Sequence, residues 1–412
     1  MEKKVQDKLF GDIDAFRDEM IDLQRGLTAV PAIAPESGGD GEERKAAYLS
    51  RRLSDMGFSR VERFHAPDPR VTSGIRPSLS IDLPGSHTDR TLLVMTHIDI
   101  VPPGDATEWR TDPFTLTVRD GKLLGRGTED NQQSLVASLF ALRALMKNGL
   151  VPHTNVRLLF VADEETGSQY GIKYLLDARP DLFRGKVSAL VPDAGNTTGT
   201  MIEIAEKNIL WLKLTTKGKQ IHASTPHEGR NAFVAGSDLV MRLAGLNRLY
   251  AEKNDLFDPP VSTFSPTKKE ANVPNVNTIP GEDVFYIDCR ILPELGVDVI
   301  VARIQELGRE IEKEYGVTVG IDIVQQEVSP PTAPDSPIVG ALARAVHAVR
   351  GKAATPAGIG GGTVAAHLRR AGIDTVVWST IDHTAHMPNE YCLIDNMVQD
   401  AKVMALLMLT GG

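Results

Sequence analysis

Two adjacent glutamates, Glu164 and Glu165, follow the apolar run Val156 to Ala162 and stand just before Gly167. Successive residues of a strand face opposite ways, so such a pair cannot do one job twice. At a turn after a buried strand, one carboxylate can ligate a metal while its neighbour reaches the metal-bound water. That division of labour, ligand plus general base, is what metal-assisted hydrolysis requires. An isolated Glu-Glu is ordinarily a solvated acidic turn, because Glu is usually exposed. Here the same pattern recurs along the chain. Thr91 to Thr96 reads as a buried strand and ends in His97-Ile98-Asp99, where an imidazole can ligate zinc and a nearby carboxylate can accept its other ring N–H. Gly125-Arg126-Gly127-Thr128-Glu129-Asp130 opens a helix-like run, Asn131 to Lys147, with Leu135, Leu139 and Leu142 on one face. Asp130 would then lie at a helix N-terminus, where a plain capping role competes with a ligand role. Val187 to Val191 runs into Pro192-Asp193, and Val376-Val377-Trp378 leads to His383 and His386.

Five acid or imidazole positions therefore follow strand-like segments: His97, Asp130, Glu165, Asp193 and His386. In an open α/β sheet, sites gather outside the carboxyl ends of the strands. Two histidines and three carboxylates suit zinc or a similar divalent ion, and they are too many for one tetrahedral centre. An aspartate bridging two metals about 3.5–4 Å apart resolves the count.

These residues resemble the M20 metallopeptidase family, which includes acetylornithine deacetylase, succinyl-diaminopimelate desuccinylase, glutamate-releasing carboxypeptidases and carnosine dipeptidases. Thr96-His97-Ile98-Asp99-Ile100-Val101-Pro102 is similar to the family's Gly-His-x-Asp-Val-Val-Pro box, with Thr96 in place of Gly. Gly125 to Asp130 resembles the box carrying the bridging aspartate, although Asn131-Gln132-Gln133 replaces the usual Met-Lys continuation. Asp163-Glu164-Glu165-Thr166-Gly167-Ser168 matches closely. The resemblance implies Glu164 as general base beside a catalytic Asp99. It implies His97, Asp130, Glu165, Asp193 and His386 as ligands of two divalent ions per chain, zinc or else cobalt or manganese, with His383 a competitor of His386. The implied reaction is amide hydrolysis of an N-acyl amino acid or short peptide by metal-bound water. An aminopeptidase on the same scaffold is the alternative. A non-catalytic binding or assembly protein would be expected to have lost Glu164 or a ligand, and none is lost.

The elements that must position these residues divide the chain. Up to about Ala205, strand and helix alternate, which predicts a mainly parallel sheet covered on both faces. Glu206 to Glu327 has another rhythm: a strand Ile209 to Leu214, a helix Asn231 to Glu252, strands Val261 to Pro266 and Val284 to Ile291, a helix Val297 to Tyr315 and a strand Val317 to Val324. That βαββαβ order is a ferredoxin-like unit. The expected fold is α/β: a mainly parallel-sheet di-metal hydrolase domain, residues 1–205 and 328–412, interrupted by a ferredoxin-like α+β insert, residues 206–327. In the family such an insert is a dimerisation or lid domain, which makes a homodimer the expected assembly. The resemblance also points to His222 as an oxyanion-stabilising residue, to Asn277 and Arg290 as substrate residues, and to Gly361 and Gly362 as a loop whose backbone N–H groups approach a carboxylate. No Gly-Lys-Ser/Thr follows those glycines, which argues against a phosphate loop.

Composition excludes other classes. The 412 residues exceed what one core usually supports, while 42% hydrophobic and 24% charged residues are ordinary for a globular chain. A net charge of −9 without a basic run argues against a nucleic-acid partner. Cys289 and Cys392 build no disulfide framework. Met1 to Asp7 is too polar to begin a secretory signal, and no apolar run approaches membrane-spanning length. A cytoplasmic, non-membrane enzyme is the expectation.

Overall fold

The computed structural model describes residues 3–411. The chain falls into two compact units, one of Met1–Ile204, Thr332–Pro356 and His367–Gly412, the other of Ala205–Pro331 and Ala357–Ala366.

The first unit is built on an eight-stranded sheet. Its order is Glu62–Pro67, Ile75–Leu83, Thr154–Val161, His87–His97, Lys186–Val191, Asp374–Val377, Met201–Glu206 and Thr355–Ile359. The four central strands, Thr154–Val161 to Asp374–Val377, pair in parallel. Antiparallel pairings join Ile75–Leu83, Glu62–Pro67 and Met201–Glu206 to them. The runs Leu92–Met95, Leu158–Val161, Ala189–Val191 and Val376–Trp378 are no more than 1% exposed, as strands covered on both faces must be. Register aligns their carboxyl ends: Thr96 opposes Phe160, Val94 opposes Leu190 and Val377 opposes Val191. The flanking strand Ile75–Leu83 instead buries Arg76, Ser78 and Ser80, and so carries no continuous apolar signal.

The helix expected from Asn131 begins later, at Gln133, and runs to Lys147. Thr128–Gln132 is an irregular turn in which Asp130 has φ −114° and ψ 96°, and the Asp130–Asn131 peptide is cis. Asp130 is therefore not an N-cap. The turn's N–H groups are satisfied from outside by Glu390, which accepts from Gly127, Glu129 and Asp130 at 2.9, 2.9 and 3.0 Å.

The second unit holds a four-stranded antiparallel sheet ordered Thr263–Lys269, Glu282–Ile291, Asn208–Lys217 and Thr318–Glu327. Leu210, Leu212 and Leu214 join Phe285, Ile287 and Cys289 in a core with Leu239 and Leu243 of the helix Ala232–Ala244 and with Ile300 and Ile304 of Val297–Tyr315. This is the ferredoxin-like order with alternate strand residues facing the helices. Asn231 caps the first helix by accepting from Val234 N at 3.2 Å, and Gly316, at φ 66°, ends the second. The long helix expected over 231–252 is two pieces, Ala232–Ala244 and Leu246–Leu249, divided at Gly245, a poor helix residue. Residues 357–366, counted on sequence with the C-terminal segment, pack with this unit. Lys207 N donates to Ile359 O at 3.0 Å, Arg290 Nη1 to Gly360 O at 3.2 Å and Thr363 N to Glu206 Oε1 at 3.0 Å. The unit's two ends meet, since Ile209 opposes Glu327 and Ser329 N donates to Asn208 Oδ1 at 3.0 Å. Cys289 and Cys392 are buried free thiols. No described helix is long and apolar enough to cross a membrane.

Candidate metal centre

Aligned strand ends bring His97, Asp99, Glu164, Glu165 and Asp193 together, and the Thr128–Gln132 turn and a loop beyond Val377 add Asp130 and His386. His97 is the last residue of its strand and 2% exposed. Its Nε2 lies 2.8 Å from Asp130 Oδ1 and 3.5 Å from Asp193 Oδ1. The other nitrogen, Nδ1, faces the backbone oxygen of Asp99 at 3.0 Å, with the Asp99 carboxylate farther off at 3.5 Å. A proton on Nδ1 satisfies that carbonyl and leaves Nε2 free to ligate. The Asp99 carboxylate is engaged elsewhere, because its two oxygens accept from Glu164 N and Glu165 N at 3.1 and 3.0 Å. It therefore anchors the backbone of the Glu-Glu turn.

Asp130 presents one oxygen to each histidine. Oδ1 faces His97, and Oδ2 lies 3.1 Å from His386 Nε2, which is also 3.0 Å from Glu165 Oε2. His386, rather than His383, makes these contacts. Ligand atoms of His97, Asp130 and Glu165 lie within 4.8 Å of one another, and so do those of His97, Glu164 and Asp193. Glu165 Oε1 is buried without a hydrogen-bond partner, as an oxygen reserved for a cation would be. On this donor set of imidazoles and carboxylates the residues fit divalent metal ions.

The electrostatics agree with cation binding. Burial would depress His97, but Asp193, Asp130 and Asp99 override it and raise its pKa well above the usual value. Hydrogen bonds to Asp130 and Glu165 push His386 up to about 10. Burial, reinforced by Asp193, holds the Glu164 carboxyl well above the usual range. A cation entering this centre displaces protons held by crowded carboxylates and imidazoles.

Other buried polar residues position the candidate ligands. Asn131 Nδ2 donates to Pro192 O at 3.0 Å and to the Asp193 carboxylate, so the departure from Met at this position orients a candidate ligand. Glu129, 4% exposed, accepts from Asp382 N at 2.6 Å, from Ala385 N at 2.9 Å, and from both N and Oγ1 of Thr384. Beneath the Glu-Glu turn, Arg76 pairs with Glu42, and its guanidinium also reaches Asp68 and Asp163 at 3.5 and 3.4 Å. Asp163 in turn accepts from Tyr170 N at 2.9 Å.

The remaining expected residues lie in the second unit. The short pairing of Ile221–His222 with Thr278–Ile279 brings His222 beside Asn277, whose Nδ2 is 3.5 Å from His222 Nε2. Ser224 N donates to His222 Nδ1 at 3.1 Å, which leaves the neutral ring's proton on Nε2, a donor suited to a developing oxyanion. Arg290 is engaged: its guanidinium forks onto Asp288 at 2.7 and 3.0 Å as well as reaching Gly360 O. Gly361 has open space around its Cα, and a Cβ at Gly362 would sit 3.3 Å from Ile209 Cδ1.

Residues 93–410 match the profile described as Peptidase family M20/M25/M40. An uncharacterized metallohydrolase of Methanococcus maripaludis is 37% identical over 411 residues, covering 94% of this chain and 97% of the relative. A succinyl-diaminopimelate desuccinylase of Cereibacter sphaeroides is 29% identical over 372 residues, covering 89% of this chain and 92% of its own. The solved structure of the aminopeptidase PepT from Bacillus cereus has the same fold, with a TM-score of 0.78 at 19% identity over 95% of this chain and 98% of that one.

Proposed function

Because the chain belongs to peptidase family M20/M25/M40 and is a metal-dependent hydrolase, we propose that it cleaves the amide bond of an N-acyl amino acid or short peptide. The observation that carries this reading is the convergence of His97, Asp130, Glu165, Asp193 and His386, with the half-buried carboxyl group of Glu164 beside His97 and Asp193. In this proposal those five side chains hold two divalent ions, zinc or else cobalt or manganese. Bound there, such ions would lower the pKa of a coordinated water toward neutrality and polarise the scissile carbonyl. Glu164 takes the proton of the attacking water and delivers it to the leaving amine. Asp99 keeps the Glu164–Glu165 backbone in place through its two N–H bonds. His222, with its proton on Nε2, is assigned to the oxyanion, and Asn277 keeps that ring company. Arg290 and the Gly361–Gly362 segment are assigned to the substrate carboxylate; the Asp288 fork means that Arg290 must exchange one partner for another to grip it.

A hydrolysis screen tests the substrate class. N-acetyl and N-succinyl amino acids, N-blocked dipeptides and free dipeptides are incubated with protein reconstituted with zinc, cobalt or manganese. Cleavage of N-acylated substrates bearing a free carboxylate is the expected result. Turnover confined to peptides with a free amino terminus would move the assignment to an aminopeptidase. Elemental analysis belongs to the same experiment: about two ions per chain are expected, and full activity at one ion would remove the two-ion reading.

The place of His222 yields a second expectation. The family resemblance implies that a histidine in this role acts across a homodimer, and two-fold pairing is the commonest oligomer. Inactive His222→Ala protein mixed with inactive Glu164→Gln protein, under subunit exchange, should regain activity, because mixed dimers hold one site with both residues intact. Demonstrated heterodimers without recovery would confine His222 to its own chain or to no catalytic role.

A further inference from the structure

The turn that carries Asp130 and the loop that carries His386 grip each other in both directions. Glu390, in the loop, takes the N–H groups of Gly127, Glu129 and Asp130, and pairs with Arg126 at 2.7 Å. Glu129, in the turn, takes the N–H groups of Asp382, Thr384 and Ala385 and the hydroxyl of Thr384. Thr384 Oγ1 also accepts from Tyr391 N at 3.1 Å, which closes the loop on itself.

The loop needs such restraint. His383, His386 and Asn389 have φ of 59°, 63° and 61°, left-handed backbone that residues with a Cβ adopt at a cost. Such conformations persist when the surroundings over-determine them. Asn389 is held by Arg110 N at 2.7 Å and by its own donation to Glu108 O at 2.8 Å. On the other side of His386 the anchor is the Glu129 carboxylate, which gathers the donors of Asp382, Thr384 and Ala385 in a charge-assisted cluster. His386 Nε2 then lies between Asp130 and Glu165.

We propose that Glu129 is a positioning residue for one half of the metal centre: its carboxylate fixes the backbone that aims His386, and so sets the affinity of the ion shared by Asp130, Glu165 and His386. The ion on the His97 and Asp193 side does not depend on it, because His97 is the end of a central strand and Asp193 is held by Asn131. The inference rests on the two-ion reading of the centre.

The test is calorimetric titration of metal-free protein with zinc, for the native chain, Glu129→Gln and Glu129→Ala, alongside cobalt absorption spectra. Outer residues that orient ligands typically change metal affinity by about 10–100-fold. Native protein should take two ions. In Glu129→Gln one affinity should fall at least about tenfold while the other holds, and Glu129→Ala should weaken the same ion further. The cobalt spectrum should lose the component assigned to that ion. A merely structural role would lower both affinities together, in step with the unfolding temperature of the metal-free variant, and would overturn the proposal. Two unchanged affinities would overturn it as well. Native protein binding a single ion would instead bring down the two-ion reading and this inference with it. If neither Glu129 variant folds, Thr384→Val, which removes one donor and leaves the carboxylate in place, should show the same one-sided weakening to a smaller extent.

Discussion

Glu164→Gln is expected to fold, to bind the same number of ions as the native chain and to lose about 10²-fold or more of kcat. The substitution preserves shape and removes only the ability to take up and release a proton. Burial and the neighbouring Asp193 raise the native carboxyl well above its usual range; the cations of the loaded centre would bring it part of the way back. The adjacent change, Glu165→Gln, should behave differently. Its Oε2 faces His386 and its Oε1 is buried without a partner, so the loss there should be in metal affinity. Steady-state kinetics with elemental analysis on both variants separates the roles. Near-native turnover in Glu164→Gln would return Glu164 to the reading of an ordinary turn acid.

Arg76→Met should be the most damaging single change to stability away from the metal centre, at about 3–5 kcal/mol. Arg76 and Glu42 are fully buried, and Arg76 is the buried cation beside Glu42 and Asp163, whereas Asp68 pairs more closely with Arg70. Removing it leaves buried carboxylates uncompensated, which costs more than the pair itself contributes. Lys45, the other buried cation nearby, makes no hydrogen bond, and its own pKa is lowered by burial to about 8. The penalty should depend on pH in a defined direction. Burial already pushes Glu42 up to about 7 against the pull of Arg76, and loss of Arg76 raises it further. The folded variant must then hold a proton that the unfolded chain releases above its ordinary pKa, so stability falls as pH rises. Urea unfolding at pH 6 and pH 8 should show the larger deficit at pH 8. Equal deficits would mean that Glu42 is not the group left stranded.

The parts of this architecture legible in sequence are those whose physical cause is local. Leu92–Met95 and Leu158–Val161 announce central strands because both of their faces are covered. His97 and Glu165 announce ligands because imidazole and carboxylate at strand ends suit a divalent ion. Glu129 announced nothing, since its partners are, apart from the Thr384 hydroxyl, backbone N–H groups, which carry no residue signature, and they lie 253 residues away at the nearest. Arg76 was hidden in a polar strand beside the apolar ones. The resemblance marks Arg290 as a substrate residue but says nothing of Asp288, which stands two residues before it on the same face of the strand and holds its guanidinium.

That separation in sequence bears on how the chain can fold. Joining Glu129 to the loop at Asp382 closes a very long circuit, and the whole second unit lies within it. For a flexible chain the entropic cost of closure grows only with the logarithm of length, by about 0.6 kcal/mol for each doubling. The second unit fastens its own ends together, Ile209 against Glu327, so once formed it contributes to the circuit as little more than a short link. Roughly half of the circuit is then removed, a saving of about 0.6 kcal/mol. A whole module can thus be spliced between the two halves of the metal centre at almost no entropic penalty, and its contents can vary while the circuit around it stays the same.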